Sequence, residues 1–311
     1  MTPISVIERR IYLVIMSVLF ITIIPVIILY SIGYRLDKGL SIVKTGGVLV
    51  TLDKSNISVY INDEKLNESG IFSRSFLFQN LHPEKYKIVA SKDGYYPWQK
   101  QLMVYEEKVT ESHPFLLPLE PTLNEIPKTI ASTKKTLLSK ATTTSTTVVS
   151  NPEYKTVLAL FSAKALKMSA ISTTTIIVRK NDSLVSTSTD TLPKDSVLRQ
   201  NIVLWKENGV LSASWWGNLS DIPYFFCDRE PCKTDIVIYN NNSVKYFDFF
   251  PGRNDLIIFE TNDGVFVTEI DGRSKRNIEP LYPKSNAEFR IKDNETIYIK
   301  DDKVLYQLVL N

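Results

Sequence analysis

Residues 11–32 read IYLVIMSVLFITIIPVIILYSI, a run without a charged side chain. As an α-helix this run is about 33 Å long at ~1.5 Å per residue, and the core of a bilayer is ~30 Å thick. We therefore predict a transmembrane signal-anchor helix over 11–32, preceded by a cytoplasmic tail, 1–10. Two alternatives stay open: a cleaved signal peptide, whose apolar core usually runs only ~7–15 residues, and a helix buried in a soluble core.

The orientation of this helix is not decided by the basic residues, because they flank both of its ends. The short tail and the β-rich remainder favour an N-terminus inside the cytoplasmic membrane and C-terminal domains outside it, as a single-pass protein. The two cysteines, Cys227 and Cys232, lie close together in that remainder. A local pair in an exported domain predicts a disulfide. A zinc site, which needs four ligands, and two reduced thiols are the alternatives.

The composition narrows the fold class and the possible partners. Among 311 residues there are 37 basic and 34 acidic side chains, a net charge of +3, which argues against a nucleic-acid partner. The chain has 15 Tyr and 14 Phe together with many Thr and Val, residue types that favour strands. We expect an all-β protein with one N-terminal transmembrane helix, two domains, and no cofactor or metal, since no phosphate-binding loop or metal motif is present.

A first β domain is predicted over 45–117. The segment 57–61 alternates apolar and polar residues and then meets Asn62-Asp63, a hairpin signal. The segment 86–91 alternates again and ends at Gly94, where a left-handed backbone is easily adopted. Several short strands in this length predict a small β-sandwich.

A motif in this region resembles the PEGA domain family. It consists of Leu81, Pro83 and Tyr86 in LHPEKY, then a strand, then Gly94 and Tyr95 in KDGY. The chain departs from the family at Glu84, where the family has glycine, and it lacks the tetrapeptide that names the family. The resemblance implies a surface-exposed, non-catalytic β-sandwich beside a membrane anchor, serving adhesion or envelope structure.

The second β region, 129–311, follows a Pro-rich segment, 118–128, that we interpret as a stiff linker. The stretch 132–150 is rich in Thr and Ser, which is consistent with disorder or with a strand pair. Beyond it, the pattern strand, Asn/Asp turn, strand recurs at 176–185, 202–211, 257–267 and 297–306. The last two copies lie about 40 residues apart, within the period of a propeller blade.

The segment 249–273 is similar to blades of TolB-like and WD-repeat propellers. This resemblance implies a propeller-like array of β-meanders that is small or incomplete. A plain meander of hairpins would give the same local pattern.

The candidate binding residues are aromatic. Tyr95, Tyr96 and Trp98 follow a turn, and Trp215 and Trp216 lie near the cysteines. Exposed rings stack on sugars or grip partner proteins, but rings on alternating strands also pack in cores. We identify no catalytic residue, because neither histidine has a sequence cue for activating a nucleophile.

The function that we expect is binding or structural: a cell-envelope protein that presents β domains to an envelope polymer or a surface protein. The alternatives are an envelope hydrolase acting on sugar or peptide, and a sensor subunit that acts through a membrane partner.

Overall fold

The computed structural model confirms an all-β protein with an N-terminal apolar helix. Among the residues that the structure describes, most regular structure is β-strand, arranged in several open sheets, with two α-helices. The residues described are 5–36, 39, 41–70, 73–138, 141–162, 192–193, 195–227, 231–241 and 243–310. They fall into two compact units: the first comprises 1–92 and 97–115, and the second comprises 93–96 and 116–311.

Helix α1 spans Val6–Ser31 and begins before the predicted Ile11. The reason is a capping box: Ser5 Oγ accepts the Glu8 N–H, and Glu8 Oε2 accepts the Ser5 N–H at 2.8 Å. These bonds satisfy backbone donors of the first turn, so the charged residues 8–10 are helical. None of the residues of α1 is buried.

A short hairpin follows the helix directly. Strand β1, Tyr34–Leu36, pairs antiparallel with β2, Ile42–Lys44. Gly33 makes the connection at φ +98, a left-handed conformation that a residue with a Cβ rarely adopts. The chain therefore turns from helix to strand within two residues.

Seven strands form the rest of the first unit. They are β3 Gly46–Thr51, β4 Ser58–Ile61, β5 Glu64–Glu68, β6 Ser75–Leu81, β7 Lys85–Ser91, β8 Trp98–Met103 and β9 Val109–Ser112. One sheet has the order β6-β3-β9 and the other has the order β5-β4-β7-β8. All pairs are antiparallel except β3 with β9. The β4–β5 turn has Asn62 and Asp63 both at positive φ, as the sequence predicts.

The core of this unit follows the alternation along its strands. Val48, Val59 and Ile88, on three different strands, are completely buried. Gly46 is fixed by a close approach, because a Cβ there would lie 2.1 Å from the Tyr105 carbonyl oxygen and 2.9 Å from that of Lys108. Backbone atoms cannot move aside as a flexible side chain does, so this position excludes larger residues.

The second unit contains fourteen strands and helix α2 among its described residues. They are β10 Thr122–Glu125, β11 Thr129–Leu138, β12 Ala141–Ser150, α2 Pro152–Leu160, β13 Val197–Arg199, β14 Ile202–Glu207, β15 Val210–Trp215, β16 Asp235–Asn240, β17 Tyr246–Phe249, β18 Leu256–Glu260, β19 Val265–Glu269, β20 Ile278–Tyr282, β21 Glu288–Lys292, β22 Thr296–Asp301 and β23 Val304–Val309. Strands β11 and β12 form a hairpin, so the Thr/Ser-rich stretch is a strand pair.

Three four-stranded sheets make up most of this unit. Their orders are β13-β14-β15-β16, β17-β18-β19-β20 and β10-β23-β22-β21. The hairpins predicted at 202–211, 257–267 and 297–306 are β14–β15, β18–β19 and β22–β23. The hairpin predicted at 176–185 lies outside the described residues.

Strand β10 corrects the interpretation of 118–128 as a linker. Thr122 pairs with Val309 and Glu125 pairs with Tyr306, so β10 completes the last sheet. The prolines of this segment flank β10 instead of interrupting it, and four residues are enough for an edge strand. The second β region therefore starts at β10, upstream of the predicted 129.

Neighbouring sheets of the second unit share buried side chains. One cluster joins Leu204 and Leu211 of the first sheet with Phe247 and Phe259 of the second. The second sheet meets the third through the rings of Tyr246 and Phe289, whose centroids are 5.1 Å apart. Helix α2 covers the third sheet by burying Val157 against Ile126, Tyr298 and Leu305.

Candidate functional site

A cleft of about 420 Å³ lies in the second unit, between β10, α2 and the β22–β23 hairpin. This volume is within the range of roughly 300–1,000 Å³ that is usual for ligand pockets. Its lining residues are Glu125, Ile126, Lys128, Tyr154, Leu158, Lys300, Asp302, Lys303, Val304 and Leu305.

The wall formed by α2 is held in place by its first residues. Asn151 is the N-cap: its Oδ1 accepts the Glu153 N–H at 3.0 Å, and its Nδ2 donates to the Pro127 carbonyl oxygen at 2.8 Å. The Tyr154 hydroxyl donates to the Lys303 carbonyl oxygen at 3.1 Å, which ties α2 to the β22–β23 turn. Both sides of the cleft are therefore fixed by hydrogen bonds as well as by the burial of Val157.

The cleft combines an aliphatic floor with a charged rim. Lys128 and Lys303 are exposed at the rim, and Glu125 and Asp302 add negative charge beside them. Lys300 differs from the other two lysines, because it bonds to the carboxylate of Glu288. The exposed lysines are therefore the groups able to form ion pairs with an anionic partner.

A chain of buried charges runs inward from Lys300. Glu288 lies 3.8 Å from Arg290, and Arg290 Nη1 lies 3.3 Å from Glu260 Oε2. Glu260 Oε2 also accepts the Phe289 N–H at 3.1 Å. Burial raises the pKa of Glu260, and the charge of Arg290 opposes this shift.

Arg290 is the centre of this chain of charges. Its guanidinium carbon lies 4.1 Å from the centroid of the Tyr246 ring and 5.2 Å from that of Phe161. Its Nε is buried and has no hydrogen-bond partner among the described residues. Because each carboxylate beside Arg290 faces a cation, the arrangement resembles an internal ion-pair network more than an acid–base pair prepared for catalysis.

A second, half-buried ion pair joins two neighbouring sheets. Arg199 of β13 lies 4.0 Å from Asp248 of β17. Burial raises the pKa of Asp248, against the smaller opposing effects of the Phe249 N–H and Arg199. Burial also lowers the pKa of Arg199. Both shifts have the same cause, the removal of charge from water.

The predicted binding aromatics do not come together at the cleft. Trp98 is 1% exposed and Trp215 is 9% exposed, so these two rings are core side chains and not a binding surface. Trp215 Nε1 donates to the Asn218 carbonyl oxygen at 2.9 Å. Trp216 is half-buried, as are Tyr95 and Tyr96. Alternation along β8 turns Trp98 inward, whereas Trp215 ends β15, a strand whose two faces are both covered; the sequence leaves both orientations open.

The residues that carry the PEGA resemblance occupy turn and core positions. Leu81 ends β6 and Pro83 lies in the following turn, both half-buried, while Tyr86 is buried in β7. Gly94 has φ +79, and Tyr95 forms an isolated bridge with Pro118.

The predicted disulfide is confirmed: Cys227 and Cys232 are bonded. The bond closes a small loop after the turn of 3-10 helix at Tyr224–Phe226. Zinc is therefore not needed to explain the cysteines. Within the described part of the chain, no group of three or more His, Cys, Asp or Glu side chains is arranged to hold a metal.

No sequence pattern predicts the cleft. Its lining comes from three segments, around residues 125, 154 and 303, that are far apart in the chain. The pairing of β10 with β23 brings them together, and that pairing was itself not predicted. The one local feature that could have indicated the cleft is Lys303, which follows the Asp301-Asp302 turn.

No protein-family model matches the chain, and no curated protein matches it. Among solved structures, the chain is similar to a crystal structure from Bacteroides fragilis NCTC 9343, described as a membrane-associated protein of unknown function. The identity is 11%, the TM-score is 0.21, and the match covers 85% of this chain and 94% of that chain. The class of protein is thus defined by its own elements: an all-β protein with one N-terminal helix that is long and apolar enough to cross a membrane.

Proposed function

We propose that this chain is a membrane-anchored extracytoplasmic protein of the cell envelope that presents its β domains to an envelope polymer or a partner protein. The observation that carries the proposal is α1: its most apolar 18-residue window has a mean hydropathy of 2.9, and none of its residues is buried. Exposing so much apolar surface to water is unfavourable, whereas a bilayer accommodates it.

The first unit is proposed to be a PEGA-like β-sandwich. Its two sheets, of three and four strands, each contribute alternating side chains to the core. The motif residues occupy turn or core positions: Leu81, Pro83, Tyr86 and Gly94. The second unit is proposed to be a propeller-type array. Three successive four-stranded sheets support this, and a first strand completes the last sheet, as ring closure would require.

A binding role is favoured over hydrolysis by the chemistry of the cleft. A glycosidase needs two carboxylates at a controlled separation around the scissile bond. In this cleft, Glu125 and Asp302 lie at an exposed rim beside lysines. An aliphatic floor with exposed lysines suits an extended anionic segment, which we propose as the ligand class.

The location is tested through the disulfide. Intact cells that express the full chain are treated with a membrane-impermeant maleimide, with and without a prior reductant. We expect Cys227 and Cys232 to be labelled only when the reductant is added first. We expect no labelling of the double variant Cys227→Ser/Cys232→Ser under either condition. Labelling that requires permeabilised membranes but no reductant would place free thiols in the cytoplasm, and the proposal would then be abandoned.

A further inference from the structure

The end of α1 is fixed to the first unit by a dense set of hydrogen bonds. The Gly33 carbonyl oxygen accepts from the Thr45 N–H at 3.0 Å and from Thr45 Oγ1 at 2.8 Å. Arg35 Nη1 donates to the Tyr30 carbonyl oxygen at 2.6 Å, and Arg35 Nη2 donates to Asn80 Oδ1 at 2.7 Å. The last helical turn, the β1–β2 hairpin and β6 are therefore one rigid junction.

The hairpin carries two exposed apolar side chains on one face. Leu36 and Ile42 are directly paired across β1 and β2, so both point to the same side. They are 61% and 63% exposed. Ile32, between the helix and the hairpin, is also exposed. Large aliphatic side chains that cluster in this way mark an interaction surface.

Other side chains of this junction also favour a membrane boundary. The Arg35 guanidinium carbon is 3.6 Å from the centroid of the Tyr30 ring, and Lys44 Nζ is 5.4 Å from that of Tyr34. Tyrosines and long basic side chains collect at the headgroup level, where their apolar parts are covered and their polar ends stay wet.

The position of the hairpin identifies its partner as lipid. If α1 spans a bilayer, its last turn lies at the bilayer surface, and the hairpin begins two residues later. A three-residue strand extends about 10 Å at ~3.3 Å per residue. Interfacial elements insert their apolar faces to a depth of about 5–10 Å. The hairpin is thus within reach of the boundary between headgroups and acyl chains.

We propose that the β1–β2 hairpin is a second membrane contact, with Leu36 and Ile42 inserted at this boundary. The proposal rests on the spanning of the bilayer by α1, but it does not depend on which side of the membrane the β domains occupy. It gives the first unit a fixed height above the bilayer instead of a flexible tether.

The test measures immersion depth in the full chain, reconstituted in phosphatidylcholine vesicles. Nitroxide labels are placed singly through Ile42→Cys, Phe20→Cys and Ser75→Cys, with the native cysteine pair left oxidised. Ser75 is exposed and pairs with Thr51 at the far end of β3, about 16 Å from its start at ~3.3 Å per residue. Collision rates with oxygen, which enters lipid, and with a water-soluble nickel complex report depth.

We expect the label at 42 to collide with nickel several-fold less than the label at 75, and to favour oxygen. Equal nickel access at 42 and 75 would overturn the proposal, and so would shielding of 42 from both reagents, which indicates a protein partner. A water-exposed label at 20 would instead refute the spanning helix on which the proposal rests.

A paired substitution separates insertion from proximity. With the label at 42, Leu36→Asp should restore nickel access, because a carboxylate is costly to bury in lipid. Leu77→Asp, which replaces an equally aliphatic exposed residue of β6, should leave nickel access unchanged. Identical nickel access in both variants would show that Leu36 does not hold the hairpin in the boundary.

Discussion

At the scale of single residues, the second unit depends on buried charges whose pKa values are shifted. Asp248 is the clearest case, since burial raises its pKa while the Phe249 N–H, at 2.7 Å from its Oδ1, only partly opposes the shift. A carboxyl whose pKa is higher in the folded state than in the unfolded state binds its proton more tightly when folded. Its contribution to stability is therefore present below pH 3.8, the ordinary pKa, and is lost as the pH rises through the folded value.

We expect Asp248→Asn to remove this pH dependence. At neutral pH the variant should unfold at a higher denaturant concentration than the unsubstituted chain, because the cost of burying the Asp248 carboxylate exceeds its attraction to Arg199. The difference should shrink as the pH falls towards the ordinary pKa, where Asp248 is protonated. Denaturation midpoints at several pH values, in detergent, measure this.

The matched control for this measurement is Asp263→Asn, which changes an exposed turn residue. It should leave the pH profile as it is. A stability difference for Asp248→Asn that is constant across pH would show that Arg199 and the Phe249 N–H fully compensate the carboxylate.

At the scale of elements, the pairing of β10 with β23 defines the third sheet. Register places Asn124 opposite Gln307. Opposed residues of antiparallel strands have Cα atoms about 4.5–5.5 Å apart, which is within disulfide range. We expect Asn124→Cys/Gln307→Cys to cross-link under mild oxidation, detected as a linked peptide pair after proteolysis.

The control for the cross-link shares one of its positions. In Asn124→Cys/Lys303→Cys, the second cysteine lies four residues along the hairpin, about 13 Å away at ~3.3 Å per residue. This pair should stay reduced. Equal cross-linking of both pairs would mean that β10 is mobile and has no fixed register.

Hairpins with local turn chemistry were predictable from the sequence, and long-range pairings were not. Asn208-Gly209 and Asn62-Asp63 adopt positive φ because these residue types tolerate it, so the turn and its two strands are specified within about ten residues. Strand β10 has no such turn, and its partner is remote. Three prolines around it favoured a linker instead.

The orientation and contacts of side chains at the candidate sites were less predictable from the sequence than the positions of the strands. The sequence around an aromatic residue beside a turn can be the same whether its ring points to solvent or to the core. The sequence alone therefore does not predict the orientation of the ring. Trp98 is buried because of its place in the alternation of β8, which depends on the exact start of the strand, and Trp215 is buried because both faces of β15 are covered. The chain of charges from Lys300 to Glu260 requires the packing of two sheets, so no local sequence pattern predicts it.

At the scale of the whole molecule, the proposed function joins a membrane anchor to a cleft with exposed lysines. We expect Lys128→Glu/Lys303→Glu to weaken sedimentation of the detergent-solubilised full chain with isolated cell-wall sacculi by roughly tenfold, or about 1.4 kcal/mol. The physical reason is that two attractive charges at the rim become repulsive towards an anionic polymer.

Lys155→Glu provides the comparison, because this residue is exposed on α2 but does not line the cleft. Its binding should match that of the unsubstituted chain. If all variants sediment alike, the cleft is not the surface that meets the polymer, and a protein partner becomes the better candidate.

The pairing of β10 with β23 also determines when the third sheet can form during biosynthesis. Residue 122 leaves the ribosome long before residue 309, so the third sheet cannot close until β23 has been translated. Until then β10 is an unpaired edge strand, and such an edge is a template for aggregation. Contacts of such high sequence separation fold slowly. A premature stop codon that removes β23 therefore leaves β10 without its partner strand and β22 with an open edge, although residues 1–301 have been made.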